Sequence, residues 1–568
     1  MAAAEVAKEP VELRVLGGPN LYFTRPAVKL VLDVGGLLST DAVTLTALGR
    51  HVSTTLARPG APGSDARWRY VARLAASLTT AVAAGAGAAR VQVVALPGPA
   101  PGQVVVAYPW RHRGRAEVLG RAVAAGMARL PGEDLGRVVT DAARAVREAD
   151  AGPPPATPRP RIPVVAVTGT NGKTTTTRLI AHIGRCAGRV VGWSSTDGVV
   201  VDGVTVAEGD WSGPGGAAQV LADPRVQLAV LETARGGILL RGLGSTHNDV
   251  AVVTNVSSDH LGLYGVHTLD QLADVKATVV RVTRPSGWVV LNADDPRVRR
   301  MRILSRARPW LFSLDADSPY LTEATDAGGR GITVQDGWIV VLEKGLEPDP
   351  LVPVADVPLT LAGLSTVHLA NALAGAAAAL GIGLAREHVV AGLRSFAHDP
   401  ELNPGRMNLY DTGGVVVAVD VAHNEDSLRA LLDVAAGLPA PGRALWTVLG
   451  GAGDRPDTAL HAMGALAAQR SEHVAVVETE RYRRGRAPGE ITAALRGGAA
   501  AGGRTDVPSF GSELDAVADL VPRAAPGDVV AVMCLAERDA VAGWLAERGS
   551  RVLTPGDVRA LAAAARSM

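Results

Sequence analysis

Over most of the chain, apolar residues come in short, strand-length runs, and between the runs they return at every third or fourth position. The two periods mark strands and amphipathic helices. Up to residue 150 the pattern gives strands at 11–17, 89–96 and 103–110, with GlyGlyProAsn as a turn signal after the first. Helices follow near 116–130 and 136–149, which makes a small α+β domain with no reactive cluster. Residues 151–163, AGPPPATPRPRIP, are too rich in proline for a helix and read as a stiff, extended spacer.

From 164 to 399 strands and helices alternate. Strands fall at 164–168, 226–232, 250–256 and 288–292, and helices begin near 175, 269 and 367. That rhythm predicts βαβ units around a mainly parallel sheet. Residues 331–343, two alternating runs about an AspGly pair, predict a hairpin that forms a small antiparallel insert. From 400 to 568 the rhythm repeats on a smaller scale, with strands at 415–422, 444–450, 473–478 and 529–534 and helices near 425–436 and 458–469. The expected fold class is α/β: a phosphate-loop, parallel-sheet central domain, a Rossmann-like C-terminal domain, and the α+β domain in front.

Composition narrows the function classes. The 568 residues suggest three or four domains. The formal net charge of +1 gives no basic excess, which speaks against a nucleic-acid partner. Two distant cysteines, Cys186 and Cys534, indicate neither a disulfide framework nor a zinc site and fit a reducing compartment. No basic-then-apolar leader opens the sequence, and no apolar run approaches the ~20 residues of a membrane span. The expectation is a cytoplasmic protein without a membrane partner, its oligomeric state left open.

The strongest chemical signal is VVAVTGTNGKTTTTRLI, a strand running through a Gly-rich turn into a helix. Backbone N–H groups at such a turn face phosphate oxygens. Gly169 and Gly172 allow close approach, Lys173 brings positive charge to the terminal phosphates, and the Thr174 hydroxyl suits Mg²⁺. The Gly that a strict phosphate loop carries five positions before Gly172 is Val167 here. A phosphate loop alone does not separate kinases, NTPases and ligases.

GTNGKT, taken with LETARGGILLRGLG, TNVSSDHLGLYG and LNADDPRV, resembles the Mur ligase superfamily, and most fully the ligase half of the cyanophycin synthetases. VLGGPNLYFTRPAV resembles the N-terminal domain of those enzymes, and the proline-rich spacer stands where they carry an ATP-grasp domain. The resemblance implies ATP and Mg²⁺ as cofactors and a reaction that joins a carboxylate to an amino acid or other amine through an acyl phosphate. It implies that a separate ATP-grasp ligase is one source of the carboxylate.

The resemblance also assigns residues. Gly169, Thr170, Asn171, Gly172, Lys173, Thr174 and Thr175 hold the phosphates, and Glu232 and Thr174 are metal ligands. His260 is a second metal ligand oriented by Asp259, and Asn255 stands in the same motif. Lys276 matches a lysine that serves as a carbamate and then binds metal. Lys173, Lys276 and His260 are the catalytic set. His368 and Asn371 match the adenine segment, Arg406 a nucleotide-binding arginine at the hinge, and Asp420 a ribose-contacting acid. His423 and Asn424 shape the amine side, where Val421 and Glu425 replace the family's Tyr and Pro. Residues 450–457, GGAGDRPD, form part of the second substrate's site, and Asn292, Asp294 and Asp295 are structural. The basic stretch 480–486, ERYRRGR, reads as a solvated loop, with contact to an acidic peptide substrate as the alternative. Two other classes stay open: a kinase or NTPase with no amine acceptor, and a nucleotide-binding partner subunit without catalysis.

Overall fold

The computed structural model describes residues 9–52, 58–88, 90–440 and 442–566. Three sheets organise it. The first is antiparallel, in the order β1 (Glu12–Leu16), β2 (Ala27–Asp33), β4 (Gln103–Pro109), β3 (Val94–Pro97). Helices Asp65–Gly85, Arg113–Arg129 and Leu135–Glu148 cover one face. Strand β2 and the helix Asp65–Gly85 had no counterpart in the sequence pattern. The strand expected at 89–96 is shorter, and its first residue lies outside the described residues.

The central sheet has eleven strands. Seven form its parallel core, in the order β13 (Arg330–Gln335), β12 (Arg308–Phe312), β11 (Thr283–Asn292), β10 (Asn248–Val253), β5 (Val164–Thr168), β9 (Leu228–Glu232), β6 (Val191–Ser195). Their near-continuous apolar runs are what a parallel sheet covered on both faces requires. Antiparallel strands extend both edges: β7 (Gly198–Val201) and β8 (Val204–Glu208) on one, β14 (Trp338–Leu342) and β15 (Asp349–Pro353) on the other. The 331–343 hairpin is therefore no separate insert. Its first strand pairs in parallel with β12 and continues the main sheet. The helix expected over 269–280 is broken at Ala277 into Leu269–Lys276 and Thr278–Arg281.

The third sheet runs β20 (Ser509–Phe510), β19 (His473–Val477), β18 (Leu445–Gly450), β21 (Val529–Met533), β17 (Val415–Asp420), β16 (Asn408–Thr412), β22 (Arg551–Val552). Its first five strands are parallel, as a Rossmann-like layer demands. The proline-rich segment is docked rather than free. Ala151 and Pro153 carbonyls accept from Gly114 and Arg113, and Pro158 accepts from Thr246 of the central unit.

Two glycines seat the helix that follows the phosphate loop. Helix Lys173–Cys186 packs on helices Thr366–Gly381 and Arg386–Ser395. A Cβ on Gly375 would stand 2.5 Å from Leu179 Cδ2, and one on Gly392 would stand 2.6 Å from Ile183 Cγ1 and 2.9 Å from its Cα. The backbones approach so closely that the phosphate-loop helix has little freedom to shift. Gly392→Val is expected to lower unfolding stability by about 1–3 kcal/mol through overpacking, measured from denaturant midpoints. An unchanged midpoint would show that this contact yields.

Candidate active site

The carboxyl ends of β5, β9 and β10 lie side by side, where ligands bind in open α/β sheets. They open into a cleft of about 880 Å³ between the central and C-terminal units. All of the residues assigned above to phosphate, metal or nucleotide line it, from Gly169 and Glu232 to Arg406 and Asp420.

The phosphate loop is held from behind. Thr170 N–H donates to the Asn255 carbonyl and Asn171 N–H to Asn255 Oδ1, each at 2.9 Å. Thr254 Oγ1 and Asn255 Nδ2 donate to the Asn171 carbonyl at 2.6 and 3.2 Å. Lys276 Nζ donates to the Gly169 carbonyl at 2.6 Å and Lys173 Nζ to the Thr170 carbonyl at 2.8 Å. The loop carbonyls are thus drawn inward. Gly172, in the left-handed region at φ 83°, caps the helix with no side chain, so the first-turn N–H groups carry no side-chain cap. Only glycine fits there, because a Cβ would stand 2.2 Å from Asn371 Oδ1.

Glu232 ends β9 almost fully buried. Its Oε2 accepts from Thr174 Oγ1 at 2.9 Å, while Oε1 has no partner. Burial raises its carboxyl above the usual range despite Lys173 nearby. An orphaned carboxylate oxygen beside a threonine hydroxyl is a donor set for a hard cation. Among the described residues no three His, Cys, Asp or Glu side chains converge on one metal position. A cation here needs oxygens from a phosphate ligand or water as well, which is the usual Mg²⁺ arrangement. Lys276 is buried, and desolvation, followed by repulsion from Lys173, drops its amine well below the ordinary lysine value.

His260 is held differently from expectation. Its Nδ1 lies 3.1 Å from Asp454 Oδ2 of the C-terminal unit, whereas Asp259 is 3.8 Å from Nε2 and instead pairs with Arg455 at 2.5 Å. Burial opposes ionisation of Asp454, but His260, Arg484 and Arg455 together keep its carboxyl well below the usual range. Residues 480–486 are largely exposed, as expected, but Arg484 pairs with Asp454 and Arg486 with Asp457 and the Gly453 carbonyl.

On the nucleotide side, His368 is buried with Nε2 unpartnered, and burial pushes its imidazole down to about 3. Asn371 Nδ2 lies 3.4 Å from His368 Nδ1. Arg406 Nη2 reaches Thr174 Oγ1 at 3.4 Å, and its Nε is buried and unpartnered. Asp420, at the end of β17, accepts from Met407 N–H at 2.8 Å, and burial pushes its carboxyl up to about 6. Asn424 caps helix Glu425–Ala436 and meets Asn171 of the phosphate loop at 3.0 Å, so it touches the phosphate side of the cleft. Asn292, Asp294 and Asp295 bond to Thr254, Ser313 and Val256, tying strand ends together.

Sequence reasoning missed one trio. Asp197 bridges Arg178 Nη2 at 2.9 Å and Arg538 Nη1 at 2.7 Å, joining the phosphate-loop helix to the C-terminal unit. The partners are too far apart in sequence for any motif to show them. It also left Arg235 and residues 210–216, which line the cleft, without a role.

Residues 167–379 match the Mur ligase middle domain and residues 405–534 the Mur ligase, glutamate ligase domain. UDP-N-acetylmuramyl-tripeptide synthetase of Deinococcus radiodurans is 32% identical over 384 residues, which cover 66% of this chain and 73% of that protein. The chain belongs to the Mur ligase family. A second Mur ligase relative, UDP-N-acetylmuramoyl-L-alanyl-D-glutamate–2,6-diaminopimelate ligase of Corynebacterium glutamicum, is 32% identical over 71% of this chain and 75% of its own length. Cyanophycin synthetase of Synechocystis sp. is 43% identical over 334 residues, 58% of this chain but 37% of that protein. The chain thus spans little more than a third of the length of that cyanophycin synthetase.

Asp420 generates a pH prediction. Its folded value near 6 lies above the ordinary 3.8, so the folded state holds the proton more tightly. Stability is therefore lost as pH rises through the window between those values. Asp420→Asn, which keeps the acceptor for Met407, is expected to be more stable than the parent above pH 6, by at most about 3 kcal/mol. The gain should vanish below pH 4. Melting curves across that range check it, and a pH-independent difference would refute it.

Proposed function

We propose that this chain is an ATP- and Mg²⁺-dependent ligase that activates a carboxylate as an acyl phosphate and joins it to the amine of an amino acid. The carrying observation is Glu232: a buried carboxylate with one oxygen on the Thr174 hydroxyl and the other unshared, at the end of the strand beside the phosphate loop. In this reading the first-turn N–H groups and Lys173 hold the nucleotide phosphates, and His368, Asn371, Arg406 and Asp420 hold adenosine. Glu232, Thr174 and His260 would hold Mg²⁺, which when bound spreads the charge that develops on the transferred phosphoryl group.

The chemistry then asks little of protein nucleophiles. The carboxylate oxygen attacks the γ-phosphorus and ADP leaves. The amine attacks the acyl carbon, phosphate leaves with the bond electrons, and the amine's extra proton passes to solvent. The C-terminal unit closes over the cleft and keeps water from the acyl phosphate. A depressed lysine is an uncharged amine at neutral pH, the form that combines with CO₂ and releases a proton. Lys276 therefore suits the carbamate role, which would turn it into a carboxylate-like ligand. The acid substrate, on this reading, comes from a separate ligase of ATP-grasp type.

The test is phosphate release from ATP and Mg²⁺ across acidic peptides crossed with free amino acids. Release should require both partners and fall roughly 100-fold or more in Lys173→Ala, as loss of a transition-state charge contact does. Release that needs no amine would replace this reading with a kinase or NTPase.

A further inference from the structure

Helix Arg235–Arg241 is only seven residues long, too short to be stable alone, and both of its ends are tied to something else. At its first position, Arg235 Nη1 donates to the His260 carbonyl at 2.7 Å and lies 3.4 Å from the Leu263 carbonyl. Its guanidinium also sits 5.7 Å from the centre of the Tyr264 ring. The loop it grips is an improbable one. His260 and Tyr264 both occupy the left-handed region, at φ 51° and 57°, alongside Gly262 and Gly265. Non-glycine residues persist there only when their surroundings impose it. Among the described residues, the bonds to the loop's carbonyls are the Gly262–Val266 and Val266–Leu263 backbone bonds and those from Arg235.

The far end of the same helix belongs to the N-terminal domain. Gly17 N–H donates to the Arg241 carbonyl at 2.9 Å, and Leu243 N–H donates to the Pro19 carbonyl at 2.7 Å. The approach is so close that a Cβ on Gly18 would stand 1.9 Å from the Leu243 oxygen. The docking loop is itself rigid. Buried Asn20 donates to the Gly18 and Arg25 carbonyls and accepts from Tyr22 and Phe23 N–H. Leu21 packs against the same core as Leu239 of the helix and Leu261 of the His260 loop. A second finger, Pro99 in the turn between β3 and β4, lies against Gly265, its Cβ 3.3 Å from where a Cβ of Gly265 would be.

We infer that Arg235 is a positioning residue for His260, and that the N-terminal domain braces this arrangement by holding the other end of Arg235's helix and the tip of the His260 loop. Among its described residues the domain lends no side chain to the cleft lining, and its contribution to the site is mechanical. How His260 is held follows from the contacts alone, whereas its part in metal binding rests on the ligase reading.

Four full-length variants test this: Arg235→Gln, Arg235→Lys, Gly18→Ala and the milder Leu21→Ala. The first readout is amide hydrogen exchange of peptides spanning 259–266 without ligands. The second is Mn²⁺ affinity by electron paramagnetic resonance with a non-hydrolysable ATP analogue. Arg235→Gln and both N-terminal variants should speed exchange in 259–266 while leaving β5 and β10 protected. Mn²⁺ affinity should fall about 10-fold in Arg235→Gln, as when the support of a metal ligand is lost, and Arg235→Lys should recover part of it. Unchanged exchange in Arg235→Gln overturns the positioning role. Faster exchange there but not in Gly18→Ala or Leu21→Ala overturns the brace. Faster exchange with unchanged Mn²⁺ affinity overturns the link to His260's function. Failure of the ligase reading shows up separately, as parent protein that releases no phosphate with acid and amine present.

Discussion

Glu232, Lys276, His368 and Asp420 line one cleft with the phosphate loop, at depths where desolvation displaces each from its ordinary protonation equilibrium. A buried charge or polar atom without a partner costs far more than an exposed one. The cleft tolerates these four because each keeps a polar neighbour: Lys276 donates to the Gly169 carbonyl, Glu232 accepts from Thr174, Asp420 accepts from Met407 N–H, and His368 lies beside the Asn371 amide. Among the unpartnered buried atoms of the described residues that face the cleft are one oxygen of Glu232, one nitrogen of His368 and the Nε of Arg406. Together they describe a ligand that brings a cation, a polar ring and negative charge at once. A nucleotide with its metal fits that description, because it would supply a partner to each of these atoms.

The same constraint explains why two neighbouring units are joined in different ways. The C-terminal unit meets the central one through polar side chains: Asn171 with Asn424, Asp197 between Arg178 and Arg538, and His260 with Asp454. Burial opposes the charge on Asp197, and Arg178, Arg406 and Arg538 overcome it. These contacts between the units are side-chain pairs rather than packed apolar surface, so they can separate where water or a ligand takes over each charge. The connecting segment supports such movement, with Gly405 and Met407 in the left-handed region next to Arg406. The N-terminal domain is attached by backbone hydrogen bonds, glycine-tight approach and a leucine in the core.

The sequence disclosed what repeats locally. The alternation of strand and helix gave the parallel core, and the strand–turn–helix run at Gly169–Thr175 gave the phosphate loop, because both depend on neighbours in the chain. Strand β2 was obscured because Lys29 interrupts its apolar run, yet Lys29 is paired with Glu12 of β1, a partner visible only once the sheet is formed. The 331–343 hairpin looked independent because pairing with β12 leaves no mark in either sequence. Individual site residues were legible through motif likeness, and the cleft does gather them. Their couplings were not: Asp259 is adjacent to His260 in sequence and so looked like its partner, but Arg455 claims it and Asp454 takes its place. Long-range ionic pairing outweighs adjacency when burial makes an unmatched carboxylate expensive.

An additional domain whose described residues lend no side chain to the cleft is easiest to regard as an appendage, but the local energetics argue otherwise. A seven-residue helix supplies few internal hydrogen bonds, and the carbonyls of its last turn need partners from outside. One of those partners is Gly17. If the docking loop were absent, the helix end would be left to solvent, Leu21 would vacate the core shared with Leu239 and Leu261, and the left-handed loop at His260 would lose its outer support. The geometry of a residue at the centre of the cleft therefore depends on a turn some 240 positions earlier in the chain, by way of contacts that are each short, direct and largely backbone.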